Sequence, residues 1–391
     1  MFVSQKSCIF AKNILMKIVV ASDSFKGSLT SYQVAQAVEQ AAVEFMPDSQ
    51  VIVLPVADGG EGWVEAMAGA MDVERVATIV GNPISRPILA TYARVDETAI
   101  IEMAAASGLT LLQPSEYNPL LTSTYGTGEL IVDALQRGCK RLIIGIGGSA
   151  TNDAGVGMLQ ALGCRFYDAV GCEIPRCTGR HLGQIARMDA SALSSLLEGV
   201  EIIVASDVQV PLCGPGGATN MFAQQKGADD QMVNVLEAGM CTFAELVQNT
   251  MGVDVRELPG GGAAGGLGAA LYAFCGATIL PGIEVVLRVL DFDSVIQDAD
   301  LIITGEGKLD AQTATGKVPA GILAHAQKQH IPVVAIAGRV EMCEQLEQMG
   351  FAGIYATTPP DQPTSLAMQD HVAIKNIKHT IARVLESFLM K

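Results

Sequence analysis

Short runs of β-branched residues return along this chain at intervals that leave room for one helix between them. This rhythm restricts the fold more than any other feature. Lys17-Ile18-Val19-Val20-Ala21 reads as a strand and residues 32–45 as an amphipathic helix; Val51-Ile52-Val53-Leu54 is a second strand, with a second helix opening over 62–70. The pattern resumes late in the chain. Asp300-Leu301-Ile302-Ile303-Thr304 is followed by a helix over 319–329, then Val333-Val334-Ala335-Ile336-Ala337, Gly353-Ile354-Tyr355-Ala356-Thr357 and a last helix over 371–389. Alternating strands and helices imply a parallel sheet covered on both faces. Two early and three late strands make a five-stranded flavodoxin-like sheet, so residues 16–75 and 291–391 are expected to form one discontinuous α/β domain. Residues 76–290 are then an inserted second α/β domain. In it a hairpin turn over 94–99 leads into Ile100-Ile101-Glu102, further strands fall at 141–144 and 201–205, and helices at 128–136, 231–250 and 263–274. The insert's sheet is expected to be mixed.

With 391 residues, 49% hydrophobic and only 17% charged, the chain can fill two cores. A formal charge of −16 excludes a nucleic-acid partner, which demands a basic face. Small anions remain suitable ligands, because a few placed lysines hold them. The nine cysteines are scattered, with no Cys-x-x-Cys pair, and read as reduced thiols of a cytoplasmic protein. Residues 1–15 read as a flexible leader: Lys6 precedes only the brief apolar patch Cys8-Ile9-Phe10, too short for a signal segment. No run approaches the length of a membrane span.

Chemistry concentrates where strands end. Leu142-Ile143-Ile144 leads into Gly145-Ile146-Gly147-Gly148-Ser149-Ala150-Thr151-Asn152-Asp153-Ala154-Gly155, and a short helix follows. Glycines between strand and helix let backbone N–H groups converge on an anion at a positive helix end. Asp153 would repel a phosphate unless a cation or a transferable proton lies between them, so the tract suggests a metal–phosphate complex or a proton-accepting carboxylate.

Six further clusters accompany it. Asp23, Ser24 and Lys26 follow the first strand, where capping accounts for the first two, but a lysine at a strand-to-helix turn can neutralise an anion. Asp58-Gly59-Gly60-Glu61-Gly62 is either a plain tight turn or a presentation of carboxylates, with Trp63 beside it. Thr122-Ser123-Thr124-Tyr125-Gly126-Thr127 precedes a helix and suits capping or phosphate contacts. Asp207 follows the strand ending at Ala205 and is a candidate base or metal ligand. Gly260, Gly262 and Gly265 form a nominal Gly-x-Gly-x-x-Gly, which suits a dinucleotide or close helix packing. Glu306, Lys308 and Asp310 alternate after a strand, where such charge needs a ligand or an ion pair. The five histidines read as solvated or capping residues.

Taken in order, Asp23-Ser24-Phe25-Lys26, Asp58-Gly59-Gly60-Glu61-Gly62, Gly147-Gly148-Ser149-Ala150-Thr151-Asn152-Asp153, Gln225-Lys226-Gly227-Ala228, Gly260-Gly261-Gly262-Ala263-Ala264-Gly265-Gly266 and Thr304-Gly305-Glu306-Gly307 resemble the motifs of bacterial glycerate kinases of type I, from about Met16 to the C-terminus. The resemblance implies two α/β domains with a cleft, and transfer of the γ-phosphoryl of ATP to D-glycerate with Mg²⁺, giving 2-phosphoglycerate. It implies small-molecule partners only, no nucleic acid and no membrane; a homodimer stays open. The sequence departs from the family pattern at Ser22, Ala154, Val210 and Gln224, and Val210 cannot supply the side-chain amide usual there.

On this basis Asp207 is assigned as the base for the glycerate hydroxyl, and Asp153 or Asp58 as the holder of Mg²⁺, with helix capping as the other reading of Asp153. Lys26 and Lys308 would neutralise phosphate or carboxylate. The expected binding residues are Asp23, Ser24, Asp58, Gly59, Gly60, Glu61, Gly147, Gly148, Ser149, Thr151, Asn152, Gly261, Gly262, Glu306, Lys308 and Asp310. Three rival readings are 3-hydroxyl regiochemistry, a nicotinamide-dependent hydroxy-acid dehydrogenase resting on Gly260 to Gly265, and a non-enzymatic sugar-acid sensor.

Overall fold

The structure is a computed structural model that describes residues 16–56 and 73–389. The expected leader, the helix over 62–70, Trp63 and the turn with Asp58, Gly59, Gly60 and Glu61 lie outside the described residues. The chain divides into two compact units, one made of the residues up to Val56 together with those from Leu290, the other running from Ala57 to Val289.

In the first unit five strands form an all-parallel sheet in the order Gly353–Ala356, Val333–Val340, Leu301–Leu309, Lys17–Ser22, Gln50–Pro55. Numbered along the chain this is 2-1-3-4-5, the flavodoxin-like order expected from the sequence. Ile18 stands level with Leu301 on one side and Val51 on the other. Its neighbours Val20, Ile303 and Ile336 pack with Val34 and Val38 of the helix Ser31–Phe45 and Ile377 and Ile381 of the helix Asp370–Leu389. A capping box starts the first of these helices, with Thr30 and Gln33 bonding each other's amides.

The strand Leu301–Leu309 runs five residues beyond the apolar stretch that signals it. Glu306 and Lys308, expected in a loop, are therefore ladder residues, level with Ala337 and Arg339 of the neighbouring strand. Gly305 makes the extension fit, since a Cβ there would lie 2.3 Å from the carbonyl oxygen of Ile336.

The second unit carries a six-stranded mixed sheet in the order Thr278–Leu280, Glu201–Ala205, Arg141–Gly145, Thr98–Glu102, Pro87–Val95, Glu74–Gly81. The first four run parallel and the last two antiparallel. Thr278–Leu280 is not signalled by the sequence, and neither are Glu74–Gly81 and Pro87–Val95. Their apolar alternation is blurred because the cross-strand pair Ile79 and Leu89 faces outward, 73% and 70% exposed. The core lies between this sheet and helices Tyr125–Gln136, Val156–Ala161 and Ala263–Cys275, centred on Leu130, Met158 and Leu267. All four parallel strands end at one edge of the sheet, where open α/β sheets place ligands.

Candidate active site

In the second unit the glycine tract after Arg141–Gly145 divides into two parts of different character. Gly147 and Gly148 are exposed and Ser149 is half-buried, whereas Ala150 through Gly155 are buried. The inner part is structural. Asp153 is fully enclosed, and its Oδ2 accepts hydrogen bonds from the Thr124 amide at 2.8 Å, the Thr124 hydroxyl at 2.9 Å and the Gly157 amide at 3.3 Å. Its Oδ1 accepts from the Gly155 amide at 3.2 Å. The Thr124 hydroxyl in turn accepts from the Met158 amide at 2.9 Å. Asp153 thus fills, with a carboxylate of the protein itself, the anion position that the short helix Val156–Ala161 offers. Burial pushes its pKa up, and the hydrogen bonds from Thr124, Gly155 and Gly157 oppose that rise.

This arrangement matches the helix-capping reading of Asp153 and gives no support to a metal-holding or base role. Among the described residues its oxygens bond only N–H and O–H donors, which suits a structural tie. Among the described residues no group of three or more His, Cys, Asp or Glu could hold a metal ion. Thr151 and Asn152, expected to touch ligand, are also fully buried, and the Asn152 amide donates to Thr219 at 3.1 Å. The Thr122 to Thr127 cluster is likewise turned inward. Thr122 bonds the carbonyl of Ala150, Ser123 that of Cys177, and Thr127 pairs with Ser107.

Lys226 lies in one of the sequence motifs, yet the sequence alone assigns it no role. It is 2% exposed and donates to Ser149 Oγ and to the Thr151 carbonyl oxygen, both at 2.7 Å. Burial draws its pKa down to about 7, against the pull of Asp153. Nothing local announces such a lysine, because its surroundings come from segments about 75 residues away.

The glycine tract from Gly260 is a packing device. Ala264, Gly265 and Gly266 all take left-handed backbone angles, and a Cβ on Gly265 would sit 2.1 Å from the Thr151 carbonyl oxygen. The Gly261 and Gly262 amides donate to Leu258 and Val210 carbonyls, so neither is offered to a ligand. The helix Asp230–Met251 precedes the tract, where a dinucleotide fingerprint needs a strand.

Asp207 behaves differently. It is exposed just past the strand Glu201–Ala205, and its Oδ1 accepts from the Gly282 amide at 2.9 Å. That bond ties it to the segment following the adjacent strand Thr278–Leu280. Asp207, Gly147, Gly148 and Ser149 therefore occupy the carboxyl edge of the same sheet.

In the first unit the strand order reverses between Lys17–Ser22 and Leu301–Leu309, the switch point at which such sheets bind ligands. The Asp23 amide donates to Gly305 at 2.9 Å there, and the Asp23 carboxylate accepts from the Ser24 amide at 2.7 Å. Lys26 is exposed in the tight loop that closes between Phe25 and Leu29. Glu306 is buried, accepts from the Thr313 hydroxyl and lies 3.5 Å from Lys317 Nζ. Burial raises its pKa, while Thr313 and Lys317 oppose the shift. Lys308 pairs at the surface with Asp310 at 3.0 Å and Glu341 at 2.9 Å, and these two partners hold its pKa above the usual lysine range. Two carboxylates of the protein thus compete with any anion for its charge.

A profile of the Glycerate kinase family matches residues 18–389. The chain belongs to the glycerate kinase family. It is similar to Glycerate kinase of Bacillus subtilis (strain 168), with 44% identity over 357 residues, 90% of this chain and 93% of that protein. It is similar also to Glycerate 2-kinase of Escherichia coli (strain K12), with 48% identity over 326 residues, 83% of this chain and 85% of that protein. Among solved structures it is similar to the "putative glycerate kinase 2" of Salmonella typhimurium LT2, with a TM-score of 0.84 and 42% identity over 96% of this chain and 100% of that one. This membership makes the chain a kinase and leaves the dehydrogenase reading, already without a strand before its glycines, no footing. No helix of the described residues is long and apolar enough to cross a membrane.

Proposed function

We propose that this glycerate kinase family member transfers the γ-phosphoryl group of ATP to the 2-hydroxyl of D-glycerate, giving 2-phosphoglycerate and ADP. The observation that carries the regiochemistry is the 48% identity to a relative named Glycerate 2-kinase, over 85% of that relative. Phosphoryl transfer requires positioning and charge neutralisation more than covalent chemistry. The outer glycines and Ser149 suit that requirement, because they offer small, exposed, donor-bearing backbone at a sheet edge. Asp207 is the proposed acceptor of the glycerate hydroxyl proton; it is an exposed carboxylate on that edge, and the Gly282 amide fixes its orientation. Asp23, Ser24, Lys26 and Glu306 at the first unit's switch point are proposed to contact substrate or nucleotide.

Mg²⁺ is expected as the companion of the ATP phosphates, since this cation keeps several waters and takes only one or two carboxylates. The oxygens of Asp153 are engaged by Thr124, Gly155 and Gly157, so Asp58 is the proposed holder. A cytoplasmic setting belongs to the same reading and rests on the reduced-cysteine composition. Phosphorus NMR of the product from one turnover of ATP with D-glycerate tests the assignment. The resonance of 2-phosphoglycerate is expected; that of 3-phosphoglycerate moves the reaction to the other hydroxyl, and no ADP at all removes the kinase reading for this substrate.

A further inference from the structure

One buried charge has no part in the chemistry proposed for Asp207 and the switch-point residues. Lys226 is enclosed, and two of its ammonium protons go to Ser149 Oγ and the Thr151 carbonyl. These two acceptors take both hydrogens that even a neutral amine carries, so in this pair the serine oxygen accepts. A hydroxyl has a single hydrogen, and that of Ser149 cannot go back to Lys226. Ser149 donates it to no described residue, and the amides of Gly147, Gly148 and Ser149 also donate to none of them. The space beside Gly147 is open, with nothing within 4 Å of where a Cβ would stand. Gly148 takes φ +73°, the left-handed conformation that anion-binding loops commonly include. The loop therefore presents three N–H donors and one O–H donor, with a lysine behind them.

We propose that Lys226 is a positioning residue: by holding Ser149 Oγ as an acceptor, it directs the Ser149 hydrogen outward, beside the Gly147, Gly148 and Ser149 amides, to bind an anionic oxygen of a phosphate or carboxylate group. Lys226 does not touch the ligand; it acts through Ser149. The identity of the ligands, ATP phosphate or glycerate carboxylate, rests on the kinase reading, whereas the donor geometry does not.

The experiment is calorimetric titration of the whole protein with ATP, D-glycerate and inorganic phosphate in turn, using wild type, S149A, K226M and the double variant. Removing one charge-assisted hydrogen bond weakens affinity on the order of tenfold. S149A is expected to weaken either ATP or D-glycerate by about that factor and leave the other within about twofold, which identifies the source of the anionic oxygen. K226M is expected to weaken the same ligand, and the double variant to be no weaker than K226M alone within about twofold, because the two residues act in series. Unchanged affinities in S149A overturn the proposal, and since Ser149 sits at the half-buried outer part of the loop this arm stands even if K226M fails to fold. Effects that fall on different ligands, or that multiply in the double variant, overturn it as well, as does a wild type that binds none of the three probes. A wild type that binds phosphate or D-glycerate but forms no ADP from ATP and D-glycerate overturns the kinase reading alone.

Discussion

Thr124 grips Asp153 twice, through its amide at 2.8 Å and its hydroxyl at 2.9 Å, across 29 residues of sequence. This pairing joins the start of the helix Tyr125–Gln136 to the start of the helix Val156–Ala161. Removing the carboxylate would strand four donors in a dry interior. Asp153→Ala is expected to cost about 3 kcal/mol or more, and Thr124→Val about 1–3 kcal/mol. Urea unfolding measures both. An Asp153→Asn protein with normal stability but no turnover would return Asp153 to the chemistry.

The left-handed turn at Gly265 admits no side chain. With φ at +64° and a Cβ landing 2.1 Å from the Thr151 carbonyl oxygen, Gly265→Ala combines backbone strain with a clash against the loop that carries Asp153. Destabilisation of at least about 3 kcal/mol is expected. A thermal midpoint within a degree of wild type would contradict this packing.

Lys226 should leave a signature in the pH dependence of stability. Its folded pKa is depressed to about 7, below the roughly 10.4 of an unfolded lysine. Between those values the unfolded chain holds a proton that the folded chain does not, so stability rises with pH across the window, by up to about 1.4 kcal/mol per unit. Below the window both states are protonated, and the burial penalty is fully present. Lys226→Met removes the slope. Parallel urea curves for wild type and variant from pH 7 to pH 10 would contradict the depressed value.

Asp207 carries the proposed proton transfer. Asp207→Asn keeps an oxygen for the Gly282 amide but loses basicity, so turnover is expected to fall roughly 10²- to 10⁴-fold with the unfolding midpoint little changed. Near-normal steady-state turnover would remove it as the base.

Lys308 and Lys26 should separate. Lys308 is tied to two surface carboxylates, a kind of pair worth about 0–1 kcal/mol, so Lys308→Ala is expected to change stability and the Michaelis constants little. Lys26→Ala is expected to raise the Michaelis constant of one substrate about tenfold. Equal effects from both substitutions would undo the distinction drawn from their partners.

The sequence by itself determined the parallel sheet of the first unit, its five strands and their order, because a buried parallel strand must be an almost unbroken apolar run. Val19, Ile302 and Val334 announce themselves in that way. It placed the polar clusters equally, since those that follow such runs fall at the carboxyl ends of strands. What it could not determine was the direction each polar group faces. Gly147 and Asp153 belong to one continuous motif, yet the first lies at the surface and the second is enclosed by Thr124, Gly155 and Gly157. Lys308 reads as an anion binder until the strand extension places it beside Glu341, and Lys226 takes no role from the sequence until Ser149 and Thr151 close over it. The deciding contacts join residues tens of positions apart. Only the tertiary structure brings them together, and burial then turns each local charge into either a structural tie or a group that faces a ligand.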